Sequence, residues 1–215
     1  MKSPFTFEHS APNNVEKGKL YPAVFLMHGM GSNEQDLPQL LHELKDNCHI
    51  FSLRGPVVQP PGYAFFTVEE FGKPHKAIFD KIVVHIRDFI EEVVQEYPVD
   101  ATKLFVMGFS QGGILAQTLA LVLGTEKLAG AVALSAYLPA HVRDEYFKND
   151  VTNLPMLITH GTMDYVLPYQ WGEASRDFFK GQGADVTFVS FEDGHGVTPA
   201  IQQEITRFFT KQFNA

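Results

Sequence analysis

The residue types able to do chemistry in this sequence converge on one serine. Leu104-Phe105-Val106-Met107 runs straight into Gly108-Phe109-Ser110-Gln111-Gly112, with Gly113 and an apolar helical pattern behind it. A strand, a sharp G-x-S-x-G turn and a helix lift a hydroxyl clear of the backbone, beside helix N–H groups that favour developing negative charge. Side chains at 108 and 112 are expected to collide with neighbouring elements, which accounts for the glycines. Such a hydroxyl suits acyl transfer: attack on a carbonyl carbon, a covalent acyl intermediate, then release to water.

That chemistry needs two donors aimed at the tetrahedral oxygen. The Gln111 amide, directly after the serine, supplies one. Phe25-Leu26-Met27 leads into His28-Gly29-Met30-Gly31, where small residues let the backbone approach a substrate, and the Met30 amide is the favoured second donor. His28 reads as a brace for this loop, not as an acid or base. On such a scaffold the acid and base follow the serine in chain order, on loops at the carboxyl ends of strands.

Met156-Leu157-Ile158-Thr159-His160-Gly161 leads into Thr162-Met163-Asp164, which makes Asp164 the favoured acid. Asp177 and Asp185 fall in or after the next helix, and Asp193 sits on a loop that partners the wrong strand. Among nine histidines, His9, His42, His75, His85 and His141 read as solvent-exposed on helices or loops. His49 lies in or beside a strand, and His160 reads as a brace for its turn. His195, between Gly194 and Gly196, has both the order and the loop. It is expected to take the Ser110 proton while Asp164 fixes its tautomer, so activity should rise with pH as this imidazole loses its proton.

The elements that must position these residues are visible as periodicity. Near-continuous apolar runs at 23–27, 49–53, 104–107, 129–134, 156–159 and 186–191 read as strands covered on both faces of a parallel sheet. Helical patterns alternate with them. Phe79, Ile82, Val83, Ile86, Phe89, Ile90 and Val93 recur at three- and four-residue steps before Pro98. Residues 114–123 read as a buried helix ended by Gly124, and 200–213 as a last helix after Pro199. Ser32-Asn33-Glu34-Gln35 fits a capping box opening a helix through Leu40, Leu41 and Leu44. The alternation predicts an α/β fold, a mostly parallel twisted sheet with helices on both faces. No linker or repeat divides residues 1–215, which are read as one domain. The stretch 54–75, rich in Pro, Gly and aromatics, reads as a binding loop.

Composition removes other classes. A chain of 215 residues with 45% hydrophobic and 13% aromatic content has ample core material. The formal net charge of -8, with 17 scattered Lys and Arg, argues against a nucleic-acid partner. Residues 1–10 carry no apolar stretch that reads as a leader, and 112–124 is too short and too polar to insert in a membrane, so a cytoplasmic location is expected. The single Cys48 reads as a packed thiol. Histidines and carboxylates do not recur at metal-ligand spacings, and 28–31 lacks the rest of a nucleotide fingerprint. Neither metal nor cofactor is expected, and a homodimer is left open.

Five ordered motifs carry a resemblance: Met27-His28-Gly29-Met30-Gly31-Ser32-Asn33-Glu34, Gly108-Phe109-Ser110-Gln111-Gly112-Gly113, Ser135-Ala136-Tyr137-Leu138-Pro139, His160-Gly161-Thr162-Met163-Asp164 and Gly194-His195. Over about residues 21–209 the chain resembles the phospholipase/carboxylesterase family of α/β-hydrolases. The resemblance implies an α/β-hydrolase fold and esterase activity on small acyl esters, with lysophospholipid and thioester cleavage as alternatives. Arg54-Gly55-Pro56 and Gly62-Tyr63-Ala64-Phe65-Phe66 look like the family's substrate-side loop, with Phe65 where many members have Trp. The segment 135–154 is too short for a large lid domain, which favours short or medium acyl chains. Phe65, Phe66, Tyr137, Leu138 and Val166 are expected to line the acyl site, so that Phe66→Ala should shift chain-length preference. Competing readings are a dienelactone-hydrolase-like enzyme, which usually places Cys at the elbow, a peptidase, which usually adds a gating domain, and a non-catalytic binding protein, which typically loses triad members.

Overall fold

The computed structural model describes residues 5–13 and 15–215; residues 1–4 of the segment read for a leader lie outside these. Seven strands form the main sheet: β1 (Phe7–Ser10), β2 (Tyr21–Met27), β3 (His49–Leu53), β4 (Val99–Phe109), β5 (Gly130–Leu134), β6 (Pro155–Gly161) and β7 (Asp185–Phe191). Their spatial order is β1-β3-β2-β4-β5-β6-β7. Only β1 runs antiparallel, against β3; the other pairs are parallel. Each apolar run of the sequence lies within or overlaps one of these strands, and β1 is the strand that periodicity missed.

The near-continuous apolar character of the central strands has the expected cause. Along β2, Phe25 and Met27 face a core shared with α1 (Lys76–Glu96), α2 (Gln111–Lys127) and Phe179 of α4 (Tyr169–Gly181). The alternate residues Val24 and Leu26 face a second core, closed by Ile201, Ile205 and Phe209 of α5 (Pro199–Phe213) and by Leu37 and Leu41. With apolar layers on both sides no position along the strand is left for a polar residue. A short α3 (Ala140–Glu145) follows β5. Gly124 is left-handed (φ 61°) as expected, yet α2 kinks there and continues to Lys127.

Two expectations need correction. The capping box does not form: only a 3-10 turn over Leu37–Leu41 appears, with no side chain capping it. Glu34 is instead buried in an ion pair with the partly exposed Arg54, and the Asn33 side chain accepts from the Gln35 amide at 2.9 Å. The stretch 54–75 is not one loop but two small hairpins, Val57–Gln59 with Gly62–Ala64 and Val68–Glu70 with Lys73–Pro74. Cys48 is buried, its thiol within 3.6 Å of the Leu44 carbonyl, and burial pushes it up to about 12. Among the described residues no helix is long and apolar enough to cross a membrane.

Candidate active site

Ser110 ends β4 and opens α2 with φ 52° and ψ -113°, a left-handed conformation that a side chain rarely adopts. Neighbouring backbone holds it there: its amide donates to the Leu134 carbonyl at 2.8 Å, and its carbonyl accepts from the Ile114 amide at 3.0 Å. The glycines on either side have no alternative. A methyl on Gly108 would overlap the Gly112 carbonyl, and one on Gly112 would overlap the Met27 carbonyl. The elbow therefore rests directly on the loop that follows β2.

That loop is fixed from three sides. His28 Nδ1 donates to the Gly29 carbonyl at 2.7 Å while its Nε2 accepts from the Gly55 amide at 3.0 Å, so the ring is neutral, and burial lowers its pKa further from the ordinary value. The brace expected of His28 is what the structure shows. The Gly31 amide donates to the Tyr63 carbonyl at 2.7 Å, and the Tyr63 amide to Ser32 at 2.8 Å. Arg54 grips the buried Glu34 carboxylate with two nitrogens and holds it below the ordinary carboxylate range, and its guanidinium lies 4.6 Å from the Tyr63 ring centre. The Gly31 and Ser32 amides are thus committed, to Tyr63 and Gly29 respectively. Met30, just before them in the loop, is 47% exposed.

The loops that carry Asp164 and His195 meet beside Phe109. Asp164 Oδ2 accepts from His195 Nδ1 at 2.7 Å and lies 3.3 Å from His160 Nε2. Its Oδ1 accepts from the Val166 and Leu167 amides, both at 2.8 Å. His160 Nε2 also donates to the Leu167 carbonyl at 3.0 Å, the turn-bracing role read for it. Asp193 is occupied within its own loop, accepting from the Gly194 amide at 2.7 Å, and Asp177 pairs with Arg176. The Thr162 amide donates to Phe191 and that of Met163 to Asp193, which ties the two loops together. His195 packs 4.9 Å from the ring of Phe109, the residue before the serine, and the Ser135 hydroxyl donates to the Gly196 carbonyl at 3.4 Å. Ser110, Asp164 and His195 thus share one end of the sheet.

The expected acyl wall divides. Phe65 and Phe66 are 0% and 1% exposed, packed against His28 and Phe79, and present no surface to a ligand. Their backbone is pinned by the Gln111 side chain, whose Oε1 accepts from the Phe65 amide at 2.6 Å and whose Nε2 donates to the Phe66 carbonyl at 2.7 Å. Tyr137 and Leu138 line a cavity of about 220 Å³ with Trp171 and Phe178, but Ser110, Asp164 and His195 are not among its lining residues; burial pushes the Tyr137 hydroxyl up to about 12. Val166 is exposed on the Asp164 loop beside Met163 and Tyr165. His141, read as exposed, is half-buried against Phe79 and Tyr146, because α3 folds back over α1. Sequence reasoning missed the Glu34–Arg54 pair, the clamp made by the Gln111 side chain and the Ser135 contact. Only Gln111 carried a signal, as a polar residue entering an otherwise apolar helix. Among the described residues no group of three or more His, Cys, Asp or Glu is placed to hold a metal ion.

A serine on such an elbow, above such a sheet, defines the α/β-hydrolases. Residues 14–213 match the phospholipase/carboxylesterase family, and the chain belongs to it, a serine hydrolase of the carboxylesterase and acyl-protein thioesterase group. It is 28% identical to acyl-protein thioesterase 1 homolog 1 of Dictyostelium discoideum, across 87% of this chain and 89% of that one. With acyl-protein thioesterase 1 of Candida albicans it shares 30% identity over 85% and 86% of the two chains. The fold is similar to that of the Bacillus cereus carboxylesterase, with a TM-score of 0.86 at 21% identity over 98% and 96% of the chains.

Proposed function

We propose that the chain is a serine esterase that hydrolyses short- to medium-chain carboxylic esters through an acyl-enzyme on Ser110. The observation that carries this reading is the 2.7 Å contact of His195 with Asp164, beside a serine held at positive φ. Asp164 engages Nδ1, which leaves Nε2 to accept the Ser110 proton as the hydroxyl attacks the carbonyl carbon. Amides of Met30 and Gln111 stabilise the resulting oxyanion, one from the braced loop and one from the first turn of α2. His195 then returns the proton to the departing group, and water completes the cycle by the same route. The exposed apolar rim of Met30, Met163, Tyr165 and Val166 favours an apolar acyl group.

A thioester substrate is the second reading, favoured by the likeness to acyl-protein thioesterases across most of both chains; the same residues serve, and lysophospholipids enter on the same terms. The test is hydrolysis of p-nitrophenyl esters from acetate to palmitate. Turnover is expected to be highest for short and medium chains, to vanish in Ser110→Ala, and to be matched by fluorophosphonate labelling of Ser110. A folded protein that turns over no chain length and takes no label would overturn the proposal.

A further inference from the structure

An ester cleaved by this machinery has two ends, and the direction of proton transfer sorts them. Because His195 Nδ1 is committed to Asp164, Nε2 must both receive the Ser110 proton and hand it to the leaving heteroatom. The leaving group therefore sits on the His195 side of Ser110, and the acyl part lies away from it. His195 itself forms part of the wall of a cavity of about 340 Å³, together with Asp36, Leu37, Leu40, Phe109 and Val197. Four of these walls are apolar, and Gln39 adds an uncharged polar side chain. Apart from the imidazole, Asp36 is the only titratable side chain among the described residues lining it.

The Asp36 carboxylate accepts from the Ser32 hydroxyl at 2.7 Å, a neutral partner that leaves its charge in place and further lone pairs free. The nearby His28 is neutral, and the cation on the same loop system, Arg54, is engaged by Glu34. The Phe109 ring adds an aromatic face of the kind that attracts a positive charge. We propose that this cavity receives the leaving group and that Asp36 selects an alcohol or thiol bearing an ammonium group. The inference rests on the serine-esterase reading above. In the step concerned the carbonyl C–O or C–S bond breaks and its electron pair leaves with the heteroatom. The His195 proton neutralises that atom, while the acyl group stays on Ser110 Oγ.

The experiment compares butyrylthiocholine with S-(3,3-dimethylbutyl) thiobutyrate, its uncharged isostere, by release of thiol. For the unmodified protein kcat/KM is expected to favour the charged ester by about tenfold, a preference that shrinks at high salt. In Asp36→Asn the ratio of the two esters should fall towards unity, and Asp36→Glu should restore part of it. A ratio near unity in the unmodified protein, a preference insensitive to salt, or one retained in folded Asp36→Asn overturns the inference while the esterase reading stands. Failure to cleave either ester, with no fluorophosphonate labelling, overturns both.

Discussion

Asp164 divides its carboxylate between two tasks. Oδ2 orients His195, and Oδ1 accepts two backbone amides that hold its own loop closed. On the proposed mechanism the first task needs charge, since an imidazolium would form beside it during proton transfer, whereas the second needs only an acceptor. Asp164→Asn should therefore keep the loop and lose the chemistry. On the proposed mechanism kcat falls by roughly 10⁴-fold with KM changed only a few-fold, read by steady-state kinetics on p-nitrophenyl butyrate. A drop smaller than tenfold would assign the orienting role to another group.

Between the residues stand segments that never touch the reaction centre. The Gln111 side chain pins the backbone at Phe65 and Phe66, and that segment in turn supports His28. Phe66→Ala is therefore expected to open a cavity against Phe79 and cost about 3–5 kcal/mol of stability, while the order of preference among ester chain lengths stays as it is. Urea denaturation alongside the ester series checks both; a changed preference at unchanged stability would return Phe66 to the acyl wall. Positions such as this mark where the sequence was legible and where it was not. Strands β2 to β7 and the fitness of Ser110, Asp164 and His195 for their loops follow from local pattern: apolar runs, one elbow, one order along the chain. The burial of Phe65 and Phe66 depends on a clamp reaching from residue 111 to residue 65, and the failed capping box on an ion pair between residues 34 and 54. Pairings across that much chain leave no periodicity to read.

Protonation acts on the molecule as a whole. Burial lowers the pKa of His28, His49 and His141 below the ordinary 6.5. Each resists protonation when folded, so the unfolded chain binds protons that the native chain does not. Their contribution to stability is complete above about pH 6.5 and is lost as pH falls towards the lowered native values. Glu34, held down by Arg54, adds a further loss deeper in acid. The urea midpoint should therefore be lower at about pH 5.5 than at about pH 7.5; equal midpoints would mean that these rings protonate freely in the native state.

Cys48, the chain's single cysteine, lies on none of these paths. Alkylating reagents capture thiolates, and a buried thiol pushed up to about 12 offers almost none near neutral pH. Any cysteine introduced at the surface would consequently be the one that reacts with a maleimide. Phe71→Cys, at the exposed end of the second hairpin, would carry a fluorophore or spin label with the native thiol left in place. A label there would replace a ring packed 4.9 Å from Trp171 and so report on that contact with Cys48 left unreacted.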